Sequence, residues 1–360
     1  MKILFLGDTT PYCGAWQRLE ALRRLGHEVE AHDIHRLVVR GRWGNQWHYR
    51  TGFRFVTGAV LRRLQGLTQG KEFDLAWIDG GEVFGCRALA LLRVHARLIV
   101  NYNCDDPTGP RDWARWHTLR SAIPNYDLMV TVREPTLHEF RQRGARKAMM
   151  VFRSYDDILL EPVPQRAEDL ARWTGEVVFV GTWMPERGPF LAALARAGVP
   201  LSIHGNRWDR APEWPELRHH FRGPGVVGPD YARLLQGARI GLGLLSKGNR
   251  DLHTIRSSEI PYAGSLFCAQ RTAEHRQMYR EGEEAVFWSD AAECARLCRE
   301  LLDDEQRRTR IAVAGRERIK ALKLSHVDVL AGILAGLEQG GRFASSQILP
   351  LRAASRSSQI

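Results

Sequence analysis

Residues 249–264, with the sequence NRDLHTIRSSEIPYAG, place charged, hydroxyl and small residues between two apolar runs. The apolar runs, residues 240–245 and 265–269, have the length and composition of buried β-strands. Polar residues at the carboxyl ends of parallel strands are where α/β sheets bind ligands. The stretch therefore predicts a parallel α/β sheet with a ligand site at its edge.

Two acids in this stretch, Asp251 and Glu259, are separated by seven residues. Their carboxylates can accept hydrogen bonds from the vicinal hydroxyls of a sugar. Pro261 is tolerated only in the first turn of a helix, so it limits where the following helix begins. Three hydroxyl side chains can cap that helix, whose free N–H groups suit a phosphate: Thr254, Ser257 and Ser258. A capped surface helix without a ligand explains the same residues equally well.

The stretch and the runs RTAEH at residues 271–275 and EGEEA at residues 281–285 together resemble the C-terminal domain of the CgeB-like (YkvP-type) glycosyltransferases of bacteria. The resemblance covers most of residues 1–335 and is strongest over residues 247–285. It implies the GT-B fold, an α/β fold of two facing Rossmann-like domains with parallel sheets and an interdomain cleft. Retaining members of the wider group hold the donor sugar with an acid-x7-Glu motif, which Asp251 and Glu259 fit, with Asp where Glu is more usual.

The resemblance implies a nucleotide-sugar donor bound to the C-terminal domain. Gly181, Thr182 and Arg187 resemble the family's strand-Gly-Thr…Glu-Arg opening, which presents an arginine to the donor diphosphate. We expect further donor contacts from Lys247, Asn249, Asp251, Thr254, Arg256, Glu259 and Glu274. Positive charge from Arg187, Lys247 and Arg256 would stabilise the leaving nucleotide in place of a metal.

The N-terminal half alternates strand and helix patterns over residues 2–152, which predicts a doubly wound parallel sheet. The first turn, GDTTPYCG at residues 7–14, lacks the G-x-G-x-x-G fingerprint, which argues against a nicotinamide or flavin cofactor. In GT-B proteins this loop lies near the donor phosphates or the acceptor. We expect acceptor-side residues at Asp8, Thr10, Gly14 and Asp79, although a tight turn explains Thr10 and Gly14 equally well.

Asp105 and Asp106 follow another predicted strand and resemble the paired acids that CgeB-like proteins carry there. As catalytic residues, either could act as the general base that deprotonates an acceptor hydroxyl. An Asx turn or a helix cap before Pro107 is the alternative. An inverting reaction needs such a base and a retaining one needs none. We expect inversion, and retention stays open.

Residues 40–54 are basic and aromatic, with Trp43, Trp47, His48 and Tyr49. Aromatic rings stack on sugar faces, so this segment could form an acceptor site. Partial packing of this segment against the core, beneath a long loop, is the alternative and the one that we expect.

A length of 360 residues predicts two domains. We expect an N-terminal Rossmann-like acceptor-side domain over residues 1–155, a proline-rich linker over residues 156–173 and a C-terminal Rossmann-like nucleotide-sugar-binding domain over residues 174–322. A helix over residues 323–339 would cross back to the first domain. The Ser/Gly/Arg-rich tail, residues 340–360, has too little apolar content to fold and is expected to be disordered.

The net charge is +11 and the pI is about 9.7. The arginines are spread along the chain, and no nucleic-acid-binding module is recognisable, so nucleic acid is an unlikely partner. An anionic membrane surface and an anionic donor explain the charge equally well.

No apolar run reaches the ~20 residues of a membrane span. The six cysteines are scattered and predict free thiols without a zinc site. We therefore expect a cytoplasmic protein, with a peripheral position at the inner membrane face as an alternative.

These observations predict a metal-independent bacterial glycosyltransferase that uses no cofactor. It would move a hexosyl or related group from a nucleotide-diphosphate sugar to a glycan, a lipid-linked saccharide, a protein or a small molecule. One alternative is a nucleotide-sugar epimerase or hydrolase of the same fold. The other is a non-catalytic protein that binds nucleotide sugars or nucleic acid.

Overall fold

The computed structural model describes residues 1–39, 41–162, 164, 168 and 172–338. The chain forms two compact units. Unit 1 contains Met1–Phe152, Gly248–Arg250 and the helix His326–Glu338, and unit 2 contains the described residues of Arg153–Lys247 and Asp251–Ser325. The tail over residues 340–360, which we expected to be disordered, lies outside the described residues, as does part of the predicted linker.

Six parallel strands form the sheet of unit 1 in the order β2-β1-β3-β4-β5-β6. The strands are β1 Lys2–Leu6, β2 Glu28–His32, β3 Phe73–Asp79, β4 Ala96–Asn103, β5 Leu128–Thr131 and β6 Ala148–Met150. Since both faces of a parallel sheet are covered, its inner strands form continuous apolar runs in the sequence. The strand order reverses between β1 and β3, and such a reversal leaves a crevice for ligands.

The helices of the first part of unit 1 are α1 Gly14–Arg24, α2 Ile34–Val38, α3 Arg42–Thr51, α4 Thr57–Thr68, α5 Cys86–His95, α6 His117–Ala122 and α7 Glu134–Gln142. α1 buries Leu19 and Leu22 on the apolar face that the sequence predicts. α4 does the same with Val60 and Leu64.

α3 overturns the expectation for residues 40–54. The segment that we expected to be a long loop is mostly a helix, and the Trp43 and Trp47 side chains on it are exposed to solvent. The Tyr49 side chain is half-buried, and its hydroxyl donates to Asp112 Oδ1 at 2.5 Å. The prediction of partial packing against the core therefore fails for the two tryptophans, whereas Tyr49 is partly buried and Phe53 is fully buried.

Unit 2 contains a second sheet of six parallel strands in the order β12-β11-β10-β7-β8-β9. The strands are β7 Gly175–Val180, β8 Leu201–His204, β9 Phe221–Gly223, β10 Ala238–Gly243, β11 Leu266–Gln270 and β12 Val286–Trp288. The two strands predicted around residues 249–264 are β10 and β11, which pair in parallel. Two α/β units with parallel sheets confirm the predicted fold class.

The helices of unit 2 are α8 Arg187–Arg196, α9 Trp214–Leu217, α10 Gly228–Gln236, α11 Arg256–Ala263, α12 Ala273–Met278, α13 Ala291–Asp303 and α14 Glu305–Ala321. The last helix, α15 His326–Glu338, belongs to unit 1, where it packs on α1. There the His326 ring lies 3.2 Å from the Gln17 side-chain oxygen. No helix in the described part of the chain is long and apolar enough to cross a membrane.

Pro261 lies in the interior of α11, so the prediction that it stands in the first helical turn was wrong. Because proline has no backbone N–H, the carbonyl of Ser257 loses its helical partner. The Tyr279 hydroxyl donates to that carbonyl at 2.7 Å. α11 therefore tolerates its proline because a side chain from outside the helix supplies the missing donor.

Candidate functional site

The first candidate site lies in unit 2, where the strand order reverses between β7 and β10. Gly181 and Thr182 follow β7 directly, and Arg187 begins α8. Arg187 Nη1 donates to the carbonyl oxygen of Thr182 at 2.9 Å, and Nη2 lies 3.4 Å from the carbonyl oxygens of Leu244 and Leu245. A Cβ at position 181 would lie 3.2 Å from Nη1, so the glycine leaves room for the guanidinium group.

A cavity of about 140 Å³ opens beside Arg187. Its wall includes Lys247, and the Glu186 carboxylate accepts from the Lys247 backbone N–H at 3.1 Å. Two residues that we predicted to bind the donor, Arg187 and Lys247, therefore line one cavity at the carboxyl end of the sheet. Two cations at this position can stabilise phosphate charge.

Glu259 lies in the first turn of α11 and exposes only 3% of its surface. Its Oε2 atom accepts from the Tyr231 hydroxyl at 2.5 Å and from Arg256 Nη1 at 2.7 Å. The Arg256 guanidinium also lies over the Tyr231 ring, 4.8 Å from its centre. Within the described chain both contacts are made to Oε2, which leaves Oε1 to accept from a ligand hydroxyl.

Near the start of α11, Thr254 Oγ1 and Arg256 Nε are buried and have no hydrogen-bond partner among the described residues. Such atoms each cost about 1–3 kcal/mol, and a bound polar ligand would satisfy them. Asp251 lies in the loop just before and is also buried. The predicted donor residues Asp251, Thr254, Arg256 and Glu259 thus belong to one buried polar loop and helix start.

The hydroxyl of Ser257 organises this helix start. It accepts from the Thr254 backbone N–H at 3.0 Å and lies 2.8 Å from His275 Nε2. His275 Nδ1 lies 2.7 Å from the carbonyl oxygen of Gln270 and must donate to it, so Nε2 accepts from Ser257. Burial lowers the pKa of His275 to about 4, which keeps the ring neutral.

Glu274 lies at the start of α12, where its carboxylate forms a short hydrogen bond with His253 Nδ1. Because His253 Nε2 accepts from the Arg153 backbone N–H at 2.9 Å, the ring proton is on Nδ1. Glu274 therefore orients His253, and a donor contact from Glu274 stays a prediction.

Asn249 and Arg250 belong to unit 1, whereas the other predicted donor residues belong to unit 2. The Arg250 guanidinium makes two hydrogen bonds of 2.7 Å with Asp106 and two of 2.7 and 2.8 Å with Glu139. Asp106 is buried and also accepts from the Thr136 hydroxyl at 3.0 Å. With both oxygens engaged, Asp106 is poorly suited to take a proton from an acceptor.

A larger pocket of about 810 Å³ lies in unit 1, where the strand order reverses between β1 and β3. Three of the predicted acceptor-side residues, Asp8, Thr10 and Asp79, line it, whereas Gly14 begins α1. Arg18 donates to both oxygens of Asp79 at 2.7 and 2.8 Å. The pocket therefore places carboxylates and a hydroxyl at the carboxyl ends of the central strands.

A chain of charged side chains along this pocket was missed by the sequence analysis. His35 Nδ1 lies 3.0 Å from Glu82 Oε1, and Arg115 Nη2 lies 3.3 Å from the same oxygen. Arg115 Nη1 lies 3.1 Å from Asp105 Oδ2, and the Asp105 side chain is 47% exposed. Of the two predicted catalytic acids, Asp105 is therefore the accessible one. His35, Glu82 and Arg115 lie far apart in the sequence and form no local motif that would have identified them.

The charged side chains along this pocket stabilise one another's ionised forms. Burial alone would raise the pKa of Glu82, but the hydrogen bond from His35 and the charge of Arg115 outweigh it and lower the pKa to about 2. Burial would lower the pKa of His35, but its hydrogen bond with Glu82 and the charge of that carboxylate raise the pKa above its ordinary value of 6.5. Glu82 is therefore ionised at neutral pH, and the protonated form of His35 is favoured.

Three cysteines meet in the core of unit 2. The sulfur atoms of Cys268 on β11 and of Cys294 and Cys298 on α13 lie within 4.8 Å of one another, and all three are buried. Three thiolates at this spacing could bind a soft metal ion. As thiols they fill the hydrophobic core like other small apolar residues. The absence of a metal cofactor stays a prediction.

Residues 187–326 match a protein-family model described as glycosyl transferase-like. This span begins at Arg187 and contains Lys247, Asp251, Glu259 and Glu274. No curated protein matches the sequence.

Several solved structures have a similar fold over nearly the whole chain. HepE from Anabaena, crystallised with UDP and glucose, is 15% identical with a TM-score of 0.63, over 94% of this chain and 100% of that one. A sucrose-phosphate synthase from Thermosynechococcus elongatus is 13% identical with a TM-score of 0.69, over 94% and 100%. A UDP-N-acetylglucosamine 2-epimerase is 14% identical with a TM-score of 0.58, over 96% and 99%. The chain therefore has the GT-B fold, and at these identities the likeness establishes the fold alone.

Proposed function

We propose that this protein is a glycosyltransferase that moves a sugar from a nucleoside diphosphate sugar to an acceptor without a catalytic metal. The observation that carries the proposal is the cavity shared by Arg187 and Lys247 at the strand reversal of unit 2. The match of residues 187–326 to the glycosyl transferase-like model supports it. So does the similarity to HepE, which was crystallised with UDP and glucose.

In this proposal the donor's diphosphate lies against Arg187 and Lys247, and Glu259 accepts hydrogen bonds from the ribose hydroxyls. Arg256 and Tyr231 orient the Glu259 carboxylate through Oε2. The two polar atoms of Thr254 and Arg256 that lack partners would bind the donor as well. With Asp251 and the RTAEH run, this arrangement favours the CgeB-like glycosyltransferases as the nearest family.

We assign the general base to Asp105, with an inverting course. Asp105 is accessible, whereas the oxygens of Asp106 are bound to Arg250 and Thr136. Arg115 fixes the Asp105 carboxylate and links it to Glu82 in the pocket where the acceptor would bind. The acceptor hydroxyl would transfer its proton to Asp105 as its oxygen attacks the anomeric carbon of the donor. The bond from that carbon to the diphosphate oxygen would break, and the nucleoside diphosphate would leave with its charge stabilised by Arg187 and Lys247.

A second candidate function is epimerisation of a nucleotide sugar, since an epimerase is among the structures of similar fold. An epimerase converts the donor with no second substrate. Incubation of the protein with UDP-glucose and UDP-N-acetylglucosamine alone, followed by NMR of the sugar, separates the two functions. A new epimer would establish the second candidate and contradict transfer.

Isothermal titration calorimetry with a panel of nucleoside diphosphates and their sugars tests the donor site. We expect at least one member of the panel to bind, and the Arg187→Ala and Lys247→Ala variants to bind it more weakly while retaining their fold. Absence of binding across the panel would rule out the proposed function. Transfer to acceptor mixtures, followed by mass spectrometry, then identifies the reaction.

A further inference from the structure

The net positive charge of the chain arises mainly in one stretch of unit 1, although the lysines and arginines themselves are spread along the sequence. Residues 34–71 contain eight lysine and arginine residues and no acidic residue. The excess of positive charge over the whole protein is +11. Most of that excess therefore comes from the stretch that contains α2, α3 and α4.

The outer face of α3 combines this charge with large aromatic rings. Trp43, Trp47 and Arg50 follow one another at helical spacing and lie on one face of the helix. Trp43 is 83% exposed and Trp47 is 50% exposed. Phe55, in the short turn after α3, is 67% exposed and lies with its ring 5.0 Å from that of Trp47. We call Trp43, Trp47, Arg50, Arg54 and Phe55 the α3 surface.

The rest of α3 is fixed to unit 1, so the exposure of its aromatic rings is a property of the fold. The Tyr49 hydroxyl donates to Asp112, and the Thr118 hydroxyl donates to the carbonyl oxygen of Gly52 at 2.5 Å. A Cβ at Gly52, where φ is +69°, would lie 2.5 Å from the carbonyl oxygen of Ala114. The helix end is therefore held too closely for the outer face to turn inward.

A second group of side chains, one exposed tryptophan with two arginines, is also aromatic and cationic. Trp113 is partly exposed, and the guanidinium carbons of Arg120 and Arg143 lie 3.6 and 5.1 Å from its ring centre. The pKa of His117 is lowered by burial and then by the charges of Arg54 and Arg120. Arg54 thus links the α3 surface to this cluster in a region of like charge.

We propose that the α3 surface docks on an anionic membrane. Tryptophan rings prefer the boundary between headgroups and acyl chains, where an apolar ring and a polar N–H are both accommodated. Arginines at the same surface are attracted by anionic headgroups. Among the described residues, Arg50 forms no salt bridge and Arg54 forms none either, so both charges are available.

Nucleic acid also binds surfaces of arginine and aromatic residues, but the ring contacts favour a membrane. Trp47 packs against Phe55, and the guanidinium group of Arg120 lies over the Trp113 ring, so one face of Trp47 and one face of Trp113 are covered. Bases stack on open ring faces. Exposed rings that are partly covered, together with arginines that form no salt bridge among the described residues, fit insertion into a headgroup layer better.

Vesicle flotation with the full-length protein tests this proposal. One vesicle set contains phosphatidylcholine alone and the other contains phosphatidylcholine with phosphatidylglycerol, at low ionic strength and at about 0.15 M salt. We expect binding to the anionic vesicles, weakened by salt. The double variant Arg50→Gln/Arg54→Gln should weaken partitioning about twenty-five-fold, about five-fold for each charge. Trp43→Ala/Trp47→Ala should weaken it about ten-fold.

The double variant Arg310→Gln/Val313→Ala on α14 is the matched control, since Arg310 is exposed and Val313 is 59% exposed. It should bind vesicles like the wild type. Unfolding temperatures verify that each variant is folded. Failure to bind anionic vesicles, or equal losses in the control and the α3 variants, would overturn the proposal. Binding to an oligonucleotide but not to vesicles would also overturn it. The same holds if light scattering shows a dimer that the Trp43→Ala/Trp47→Ala variant dissociates, because the α3 surface would then bind another partner.

Discussion

Glu259 makes its protein contacts through Oε2, so a substitution that changes Oε1 tests whether that oxygen binds the donor. Glu259→Gln keeps the size of the side chain but removes the charge that a ribose hydroxyl would meet. A lost charge-assisted hydrogen bond is worth about 1.5–3 kcal/mol, so we expect affinity for UDP or UDP-glucose to fall about ten- to hundred-fold. Calorimetry measures this, with Glu216→Gln, at an exposed salt bridge of unit 2, as the control. Unchanged affinity in Glu259→Gln would remove Glu259 from the donor site.

Asp105 and Asp106 are adjacent in the sequence, but their surroundings predict different losses. Asp105→Asn should lower the turnover of transfer about 10²–10⁴-fold at unchanged donor affinity and unfolding temperature. Asp106→Asn weakens the buried ion pair with Arg250 and should lower the free energy of unfolding by about 2 kcal/mol. Thermal unfolding and single-turnover kinetics distinguish the two. Normal turnover in Asp105→Asn, or a product that retains the anomeric configuration of the donor, would contradict the assigned base.

The pair of His35 and Glu82 predicts a pH-dependent stability. The folded pKa of Glu82 is lowered to about 2, so its contribution is present above the ordinary value of 4.5 and is lost as the pH falls towards 2. The folded pKa of His35 is raised, so its contribution is present below 6.5 and is lost as the pH rises through the higher folded value. His35→Gln should therefore destabilise the protein more at about pH 5.5 than at about pH 8.5. Urea unfolding of the wild type and the variant at both pH values measures this, and equal losses of stability at the two pH values would contradict the prediction.

At the scale of single residues, the sequence predicts the site residues that lie in local motifs. Arg187 and Lys247 follow strands whose ends are visible in the sequence, and both lie at the strand reversal of unit 2. His35 and Glu82 meet only because β2 and β3 are brought to the same edge of one sheet, on either side of β1. No spacing in the sequence predicts that these two side chains lie in contact.

At the scale of elements, α11 depends on a donor from outside the helix. Tyr279→Phe removes the hydroxyl that bonds to the Ser257 carbonyl and should cost about 1–3 kcal/mol, because the carbonyl is left without a partner. Pro261→Ala restores a backbone N–H in the helix. The cost of Tyr279→Phe should then be smaller when both changes are combined. Denaturant unfolding of the four proteins measures this coupling, and equal costs in both backgrounds would show that the hydroxyl does not compensate for the proline.

Which elements the sequence predicts depends on how they are buried. β10 and β11 are apolar over most of their length, and each was predicted within a few residues. α3 was missed because the tryptophans on its outer face contradict the rule that apolar residues face inward. β9 and β12 have three residues each, too few for a periodic pattern.

At the scale of the whole molecule, the two sheets use the same arrangement. Each is parallel and reverses its strand order once near the middle, and each has a polar cavity beside that reversal. The wall of the cavity in unit 2 includes Arg187 and Lys247 together with the acids Glu186 and Asp290, whereas the wall of the pocket in unit 1 has four acids, two arginines and His35. Arg187 and Lys247 suit a phosphate-bearing donor, and the carboxylates in the pocket of unit 1 suit a hydroxyl-bearing acceptor, if each unit binds one substrate.

Metal independence stays a prediction, and it rests on Arg187 and Lys247. Arg187 and Lys247 supply the positive charge that a divalent ion provides in enzymes with a D-x-D motif, which this sequence lacks. We therefore expect transfer activity to survive dialysis against EDTA at its full rate.

The cluster of Cys268, Cys294 and Cys298 provides a separate check, because a zinc ion bound there would stabilise unit 2. We expect an unchanged unfolding temperature after EDTA, no zinc in the purified protein by mass spectrometry, and three thiols that react with a maleimide only after unfolding. Activity that is lost in EDTA and restored by Mg²⁺ or Mn²⁺ would contradict the prediction, whereas a fall in unfolding temperature alone would place a structural metal at the cysteines.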